Sequence, residues 1–314
     1  MSILDKLDIP APAAIQPFRI VQLITGLERG PNDESLLKYL NFLSTQIPIE
    51  AAYFLHVTPS TEKLNRLLQE VDSELIVHQQ AIRERILTEL GGDISRYLIS
   101  PRIKKIQYEV REGNPLEELL ADAEAIDATV IAIGQRSRTN SHGILAKNLV
   151  RKVPIDALVI PDRSAHQLRR IMVPVDFSAH SAQALQKAVG IIKQMQEPAE
   201  IIAVNVYEMP AFSAFKISKT EAQLRKMVHE DRREALQAFV EACVPEEYLP
   251  KEQVLIEKER PGVGQYLWDY AAANNIDFIV MGAKGHSRVE LLLLGSTTER
   301  LLTINDSIPT LVVR

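Results

Sequence analysis

Short apolar runs alternate along this chain with longer stretches whose apolar positions recur at helical spacing. In the second half IMVPVD (171–176) reads as a buried strand, and SAHSAQALQKAVGIIKQM (178–195) as an amphipathic helix with Ser178 as N-cap. IIAVNVY (201–207) is a second strand, followed by a long charged helix over 217–243. VLIEKE (254–259) and DFIVMG (277–282) are further strands around a helix at 262–275. A helix at 295–305 and a last strand, PTLVV (309–313), close the series. The first half repeats the order, with strands at 18–24, 51–57, 104–111, 128–134 and 156–160. Strands alternating with helices predict βαβ units around a mostly parallel sheet.

Specific segments align between the halves. REGNPLEELLADAEAIDATVIAIG (111–134) parallels KERPGVGQYLWDYAAANNIDFIVMG (258–282). LHVTP (55–59) matches VNVYE (204–208), and PIDALVIP (154–161) matches SIPTLVVR (307–314). Several elements in one order point to duplication rather than to one large sheet. The expected organisation is a domain over 1–161, a polar linker at 162–169 and a second domain over 170–314. Each is predicted to be an α/β, doubly wound, Rossmann-like domain with a five-stranded, mostly parallel sheet flanked by helices.

Composition narrows this little. The 314 residues are 46% hydrophobic and 25% charged, which is ordinary for a globular protein of two domains. Cys243 is the single cysteine, so no intrachain disulfide can form. The N-terminus lacks the basic start and apolar core of a secretory signal, and no uncharged run is long enough for a membrane helix. A cytoplasmic location without membrane contact is expected. With a net charge of −5, no nucleic-acid partner is expected.

The chemistry concentrates in MGAKGHSRVELLLLGSTTERLL (281–302). Gly282 ends a buried strand, Gly285 follows, and Gly295 leads into Ser296, Thr297 and Thr298 at a helix start. Strand carboxyl ends are where open α/β sheets bind ligands, and glycines admit close backbone approach. Helix N-terminal amides beside hydroxyls suit a phosphate, with Lys284, His286 and Arg288 as further donors. The same spacing would serve a tight turn capped by Ser296, so residues alone leave both readings open. The segment is neither a Walker A loop nor a dinucleotide fingerprint. GVG at 262–264 has no third glycine and is a weak signal. No HExxH, Cys/His cluster or GxSxG elbow occurs, so neither a zinc site nor a nucleophilic hydrolase is indicated, and no catalytic residue or metal ligand is assigned. Trp268 and Leu267 read as core residues, and the charged helix at 227–242 as a solvated face.

The pattern G-x2-G-x9-G-[ST] after the fourth strand resembles the nucleotide-binding signature of universal stress proteins. VPVDFS (173–178), VNV (204–206) and IPTLVV agree with that family's first, second and last strands. The resemblance covers the whole second half and, in layout, the first. It implies ATP, with or without Mg2+, as cofactor of the second half. Carried to matching positions, Asp176 would hold the ribose hydroxyls and Val206 would meet adenine through its backbone. Pro174 and Val175 would flank the base, and Gly282 and Gly285 would line the ribose and phosphates. Gly295, Ser296 and Thr297 would bind phosphate. Family members usually dimerise through the last strand, which implies pairing of 156–160 with 309–313 within one chain, and association of two chains beyond that.

The first half keeps Gly134 but has Ser137 for the second glycine, no match for the third, and a loop about five residues shorter. Thr25 is the expected counterpart of Asp176, and no ATP is expected in this half. Gln135, Arg136, Arg138 and His142 would serve another anion or stand in an ordinary solvated loop. The expected function is a stress-response protein that holds ATP in its second half as a nucleotide-dependent binding and regulatory module. A slow ATPase and a ligand-independent interaction protein are the alternatives. No general base stands near the loop beyond Glu290 and Glu299, which weighs against catalysis.

Overall fold

The computed structural model describes residues 15–60, 73–137, 144–210, 220–285 and 294–314. Its backbone divides into two compact units: residues 19–166, and residues 167–314 together with the segment 15–18.

The first unit runs β1 (Ile20–Gly26), α1 (Pro31–Gln46), β2 (Ile49–Thr58), α2 (Ser73–Tyr97), β3 (Ile103–Glu112), α3 (Pro115–Ala125), β4 (Val130–Gln135), α4 (Ile144–Lys152) and β5 (Asp156–Pro161). All its strand pairs are parallel, in the order β3-β2-β1-β4-β5. The second unit runs β6 (Arg170–Pro174), α5 (Ala179–Ile192), β7 (Glu200–Glu208), α6 (Glu221–Cys243), β8 (Glu252–Lys258), α7 (Val263–Ala273), β9 (Phe278–Gly282), α8 (Ser296–Ile304) and β10 (Thr310–Val313). A short 3₁₀ turn, Glu246–Tyr248, precedes β8. Its order is β8-β7-β6-β9-β10, again parallel. Each unit is thus a doubly wound α/β domain, and its strand order reverses beside the first strand. That reversal opens a crevice at the strand carboxyl ends.

Local sequence accounts for the elements. The central strands are buried along their length, as expected of sheets covered on both faces. Ser178 caps α5 by accepting from the Ser181 amide at 3.2 Å, and α5 packs through Ala182, Leu185, Ala188 and Val189. Thr220 and Gln223 form a capping box on α6. That helix buries Leu236, Phe239, Val240 and Cys243 and leaves Arg225 and Arg233 on an exposed, ion-paired face. Residues 15–18 lie along α5: the Phe18 amide donates to Gly190 O at 2.8 Å, and Lys193 Nζ to Ile15 O at 2.9 Å. His166, within the expected linker, stacks on Phe42 of the first unit.

Strand register fixes how the units correspond. Leu23 pairs with Val130 as Ile171 pairs with Phe278, and Gly26 with Leu55 as Pro174 with Val204. Arg29 (φ 58°) and Phe177 (φ 64°) are left-handed at the same place in the turn after the first strand. Asp127 (φ 51°) and Asn275 (φ 53°) match before the fourth. A left-handed non-glycine residue costs about 1–3 kcal/mol unless its surroundings hold it, so its recurrence marks a shared turn.

This register corrects one expectation. The counterpart of Asp176 is Glu28, not Thr25. Thr25 is fully buried between β1 and β4, where its hydroxyl donates to Ala132 O at 2.8 Å. It lies three residues too early because the chain leaves the sheet through Leu27, whose amide donates to Leu55 O (2.9 Å) as that of Val175 donates to Val204 O (2.8 Å).

Candidate functional site

In the second unit the crevice is a cavity of about 300 Å3 at the carboxyl ends of β6, β7 and β9. Its floor and walls are apolar: Val175, Val204, Val206, Leu267 and Met281, with Pro174 and Val263 at the sides. Leu267 of the α7 pair faces this cavity, while Trp268 is half-buried. The polar end is formed by Asp176, Lys284, Gly285 and the start of α8.

The turn after β6 aims Asp176. Phe177 turns into the core and meets Phe239 edge-to-face at 5.5 Å, which leaves Asp176 exposed. Ser178 donates to Asp176 Oδ1 from its amide (3.1 Å) and its hydroxyl (2.5 Å). Ser178, not Asp176, caps α5, so the carboxylate is not used up as a helix cap. Asn205 Nδ2 donates to Val175 O at 2.8 Å and ties this turn to β7.

Two glycines lie in close contact with neighbouring side chains. A Cβ at Gly285 would stand 2.4 Å from Asp176 Oδ2, and one at Gly282 would stand 2.7 Å from His180 Cβ. Any side chain at 285 would therefore displace the carboxylate. Gly295 donates its amide to Ala283 O (2.8 Å), and the Thr298 hydroxyl donates to Gly282 O (3.0 Å). These bonds hold the N-terminus of α8 beside the end of β9. Gly295 supplies no side-chain cap, so the first-turn amides of α8 have no partner within the helix. Ser296, Thr297 and Lys284 line this polar end of the cavity, and the N-terminal amides of a helix favour an anion. His180, packed against Gly282, is pushed below its ordinary pKa by burial and by Lys284, with Asp176 opposing.

Nine of the ten expected site residues line this one cavity: Pro174, Val175, Asp176 and Val206, and also Gly282, Gly285, Gly295, Ser296 and Thr297. Arg288, together with His286 and Glu290, lies outside the described residues. Thr298, named with Ser296 and Thr297 at the helix start, lines the cavity as well, as do Ser181, Val204, Val263 and Met281, which the sequence did not single out. Apolar periodicity marks such positions only as buried, and burial does not distinguish a wall from a core. Of the LLLL run, Leu294 alone is described, and it is buried. Among the described residues no group of three or more His, Cys, Asp or Glu side chains could hold a metal. No described helix is long and apolar enough to cross a membrane. Burial pushes the Cys243 thiol up to about 12.

The first unit has a matching cavity of about 280 Å3. Glu28 lines it and pairs with Arg136 at 2.6 Å. Gln135 is buried rather than part of a solvated loop, and Arg138 and His142 lie outside the described residues.

A universal stress protein of Methanocaldococcus jannaschii is 28% identical over 146 residues, covering 46% of this chain and 82% of that protein. A universal stress protein of Synechocystis is 26% identical over 204 residues, 63% of this chain and 61% of that relative. The crystal structure of a universal stress protein from Archaeoglobus fulgidus superposes with a TM-score of 0.60 at 20% identity, over 95% of this chain and 97% of that one, and so shares the fold. The model of the universal stress protein family matches twice, at residues 43–161 and 167–314. With both units matched, the chain belongs to the universal stress protein family and carries two tandem copies of its domain.

Proposed function

We propose that the second unit binds an adenine nucleotide, ATP, and that the protein works as a nucleotide-dependent binding and regulatory module of the cytoplasmic stress response. The observation that carries this reading is one cavity with two ends. The apolar end, between Val206, Val175 and Leu267, suits a base. The end with Gly285, Gly295, Ser296 and Thr297 offers amides and hydroxyls to phosphate. Asp176, between them, can accept from both ribose hydroxyls, and the absent Cβ of Gly285 is the space that keeps its carboxylate in place. Mg2+ would enter on the phosphate oxygens of the nucleotide, in keeping with its preference for substrate phosphates over all-protein cages.

Mass spectrometry of nucleotide released from the purified protein tests the reading, together with calorimetric titration of ATP. One equivalent of ATP is expected. Absence of binding would remove the proposal, and turnover of bound ATP in a single-turnover assay would replace the binding module with an enzyme.

A further inference from the structure

The correspondence of Glu28 with Asp176 alters what the first unit can bind. Its cavity is built on the same positions as the second. Val57 stands where Val206 does, Leu119 where Leu267 does, and Ile133 where Met281 does. Glu28 brings a carboxylate to the place of Asp176 at the same left-handed turn. What differs is the other end. The second cavity takes Ser296, Thr297 and Thr298 from the start of α8, whereas the described residues of α4 give the first cavity only Leu149, a turn further in.

Three further features turn the first cavity against phosphate. Ser137, in the place of Gly285, donates its hydroxyl to Asp162. Arg136, in the place of Lys284, is tied to Glu28. Asp33 replaces Ser181 and adds a second carboxylate, its oxygens accepting from the amides of Glu28 (3.2 Å) and Arg29 (2.6 Å). A second acidic side chain in the cavity disfavours an anion there.

The cavity also gains a group. His56 replaces Asn205 and repeats its bond, with Nδ1–H donating to Leu27 O at 2.7 Å. A carbonyl can only accept, so Nδ1 carries the proton, and in the neutral ring Nε2 is an acceptor. His56 lines its cavity, which Asn205 does not.

We infer that the first unit is a second ligand site, for a purine nucleoside without phosphate. The apolar walls take the base, Glu28 accepts from the sugar hydroxyls, and His56 Nε2 accepts from an exocyclic amine. The inference rests on the nucleotide reading of the second unit, because the shared half of the two cavities is read from there.

The test titrates adenosine into the full chain already saturated with ATP. One further equivalent of adenosine is expected. Glu28→Ala, at an exposed side chain, is expected to weaken that step about tenfold, the loss of one charge-assisted hydrogen bond, and to leave the ATP step unchanged. Gly285→Val is expected to remove the ATP step and keep the adenosine step. Melting temperatures of the variants establish that they fold. An intact ATP step without an adenosine step overturns the first-unit site and leaves the second standing. An adenosine step sensitive to Glu28→Ala in a protein that binds no ATP overturns the second-unit reading and supports the first. Two equivalents of ATP, with adenosine displaced, overturn the exclusion of phosphate. A protein that binds neither overturns both.

Discussion

The two cavities differ most at one end. Their apolar walls and the carboxylate after the first strand are held by the same register and the same left-handed turn. The largest difference lies beyond the fourth strand, with His56 in place of Asn205 and Asp33 in place of Ser181 as two smaller ones. In the second unit Gly282, Gly285 and Gly295 let the backbone close around a polar end, and the start of α8 presents amides and hydroxyls. In the first, Ser137 and Arg136 are drawn to Asp162 and Glu28. Sheet topology therefore supplies a crevice to both units, while charge and backbone access decide what each can take. The first unit lacks the glycine spacing of the second and keeps the cavity.

The comparison can be broken most sharply at Gly285. A valine there places Cβ against Asp176 Oδ2, so both the carboxylate and the backbone approach are lost. Two charge-assisted bonds, each about 1.5–3 kcal/mol, amount to a fall in ATP affinity of about a hundredfold or more. Calorimetric affinity within threefold of the unmodified protein would remove Gly285 and Asp176 from the site. Ser296→Ala is a smaller change, expected to cost about tenfold in ATP affinity through one hydroxyl–phosphate bond. Unchanged binding would leave only the helix amides as phosphate donors.

Thr25→Ala separates the two assignments of the first unit. Since the Thr25 hydroxyl bonds Ala132 O in the core, its removal should cost about 1 kcal/mol in urea unfolding of that unit. Binding of ATP and adenosine should stay as it was. A loss of ligand with stability intact would restore Thr25 as the counterpart of Asp176.

The smallest expected effect concerns pH. His180 packs on Gly282, whereas its counterpart Asn32 lies against Gly134 and cannot titrate. The pKa of His180 is depressed on folding, so between that value and its ordinary 6.5 the unfolded chain holds more protons. Stability from this group is present above 6.5 and is lost as pH falls through that window. Urea midpoints at about pH 7.5 and about pH 5.5 should differ more for the unmodified protein than for His180→Asn. Equal slopes would show that His180 remains solvated in the fold.

Much of this was legible in the chain. Strand and helix positions came from apolar periodicity, and the G-x2-G-x9-G-[ST] spacing pointed to the residues that line the second cavity. Asn205, Val263 and Met281 were not legible as site-forming. Their signal, an apolar or lone polar residue inside a buried element, is the same in a core as in a wall.

The sequence by itself determined the duplicated α/β order, since periodicity is a property of neighbouring residues. It also determined which half carries the glycines. Only the tertiary structure decided that Glu28 answers to Asp176. LERG (27–30) and VDFS (175–178) share only an apolar residue followed by an acidic one, too short a pattern to fix their alignment. What they share is a hydrogen bond to the next strand and a left-handed residue at Arg29 and Phe177, and both are fixed by packing across the sheet.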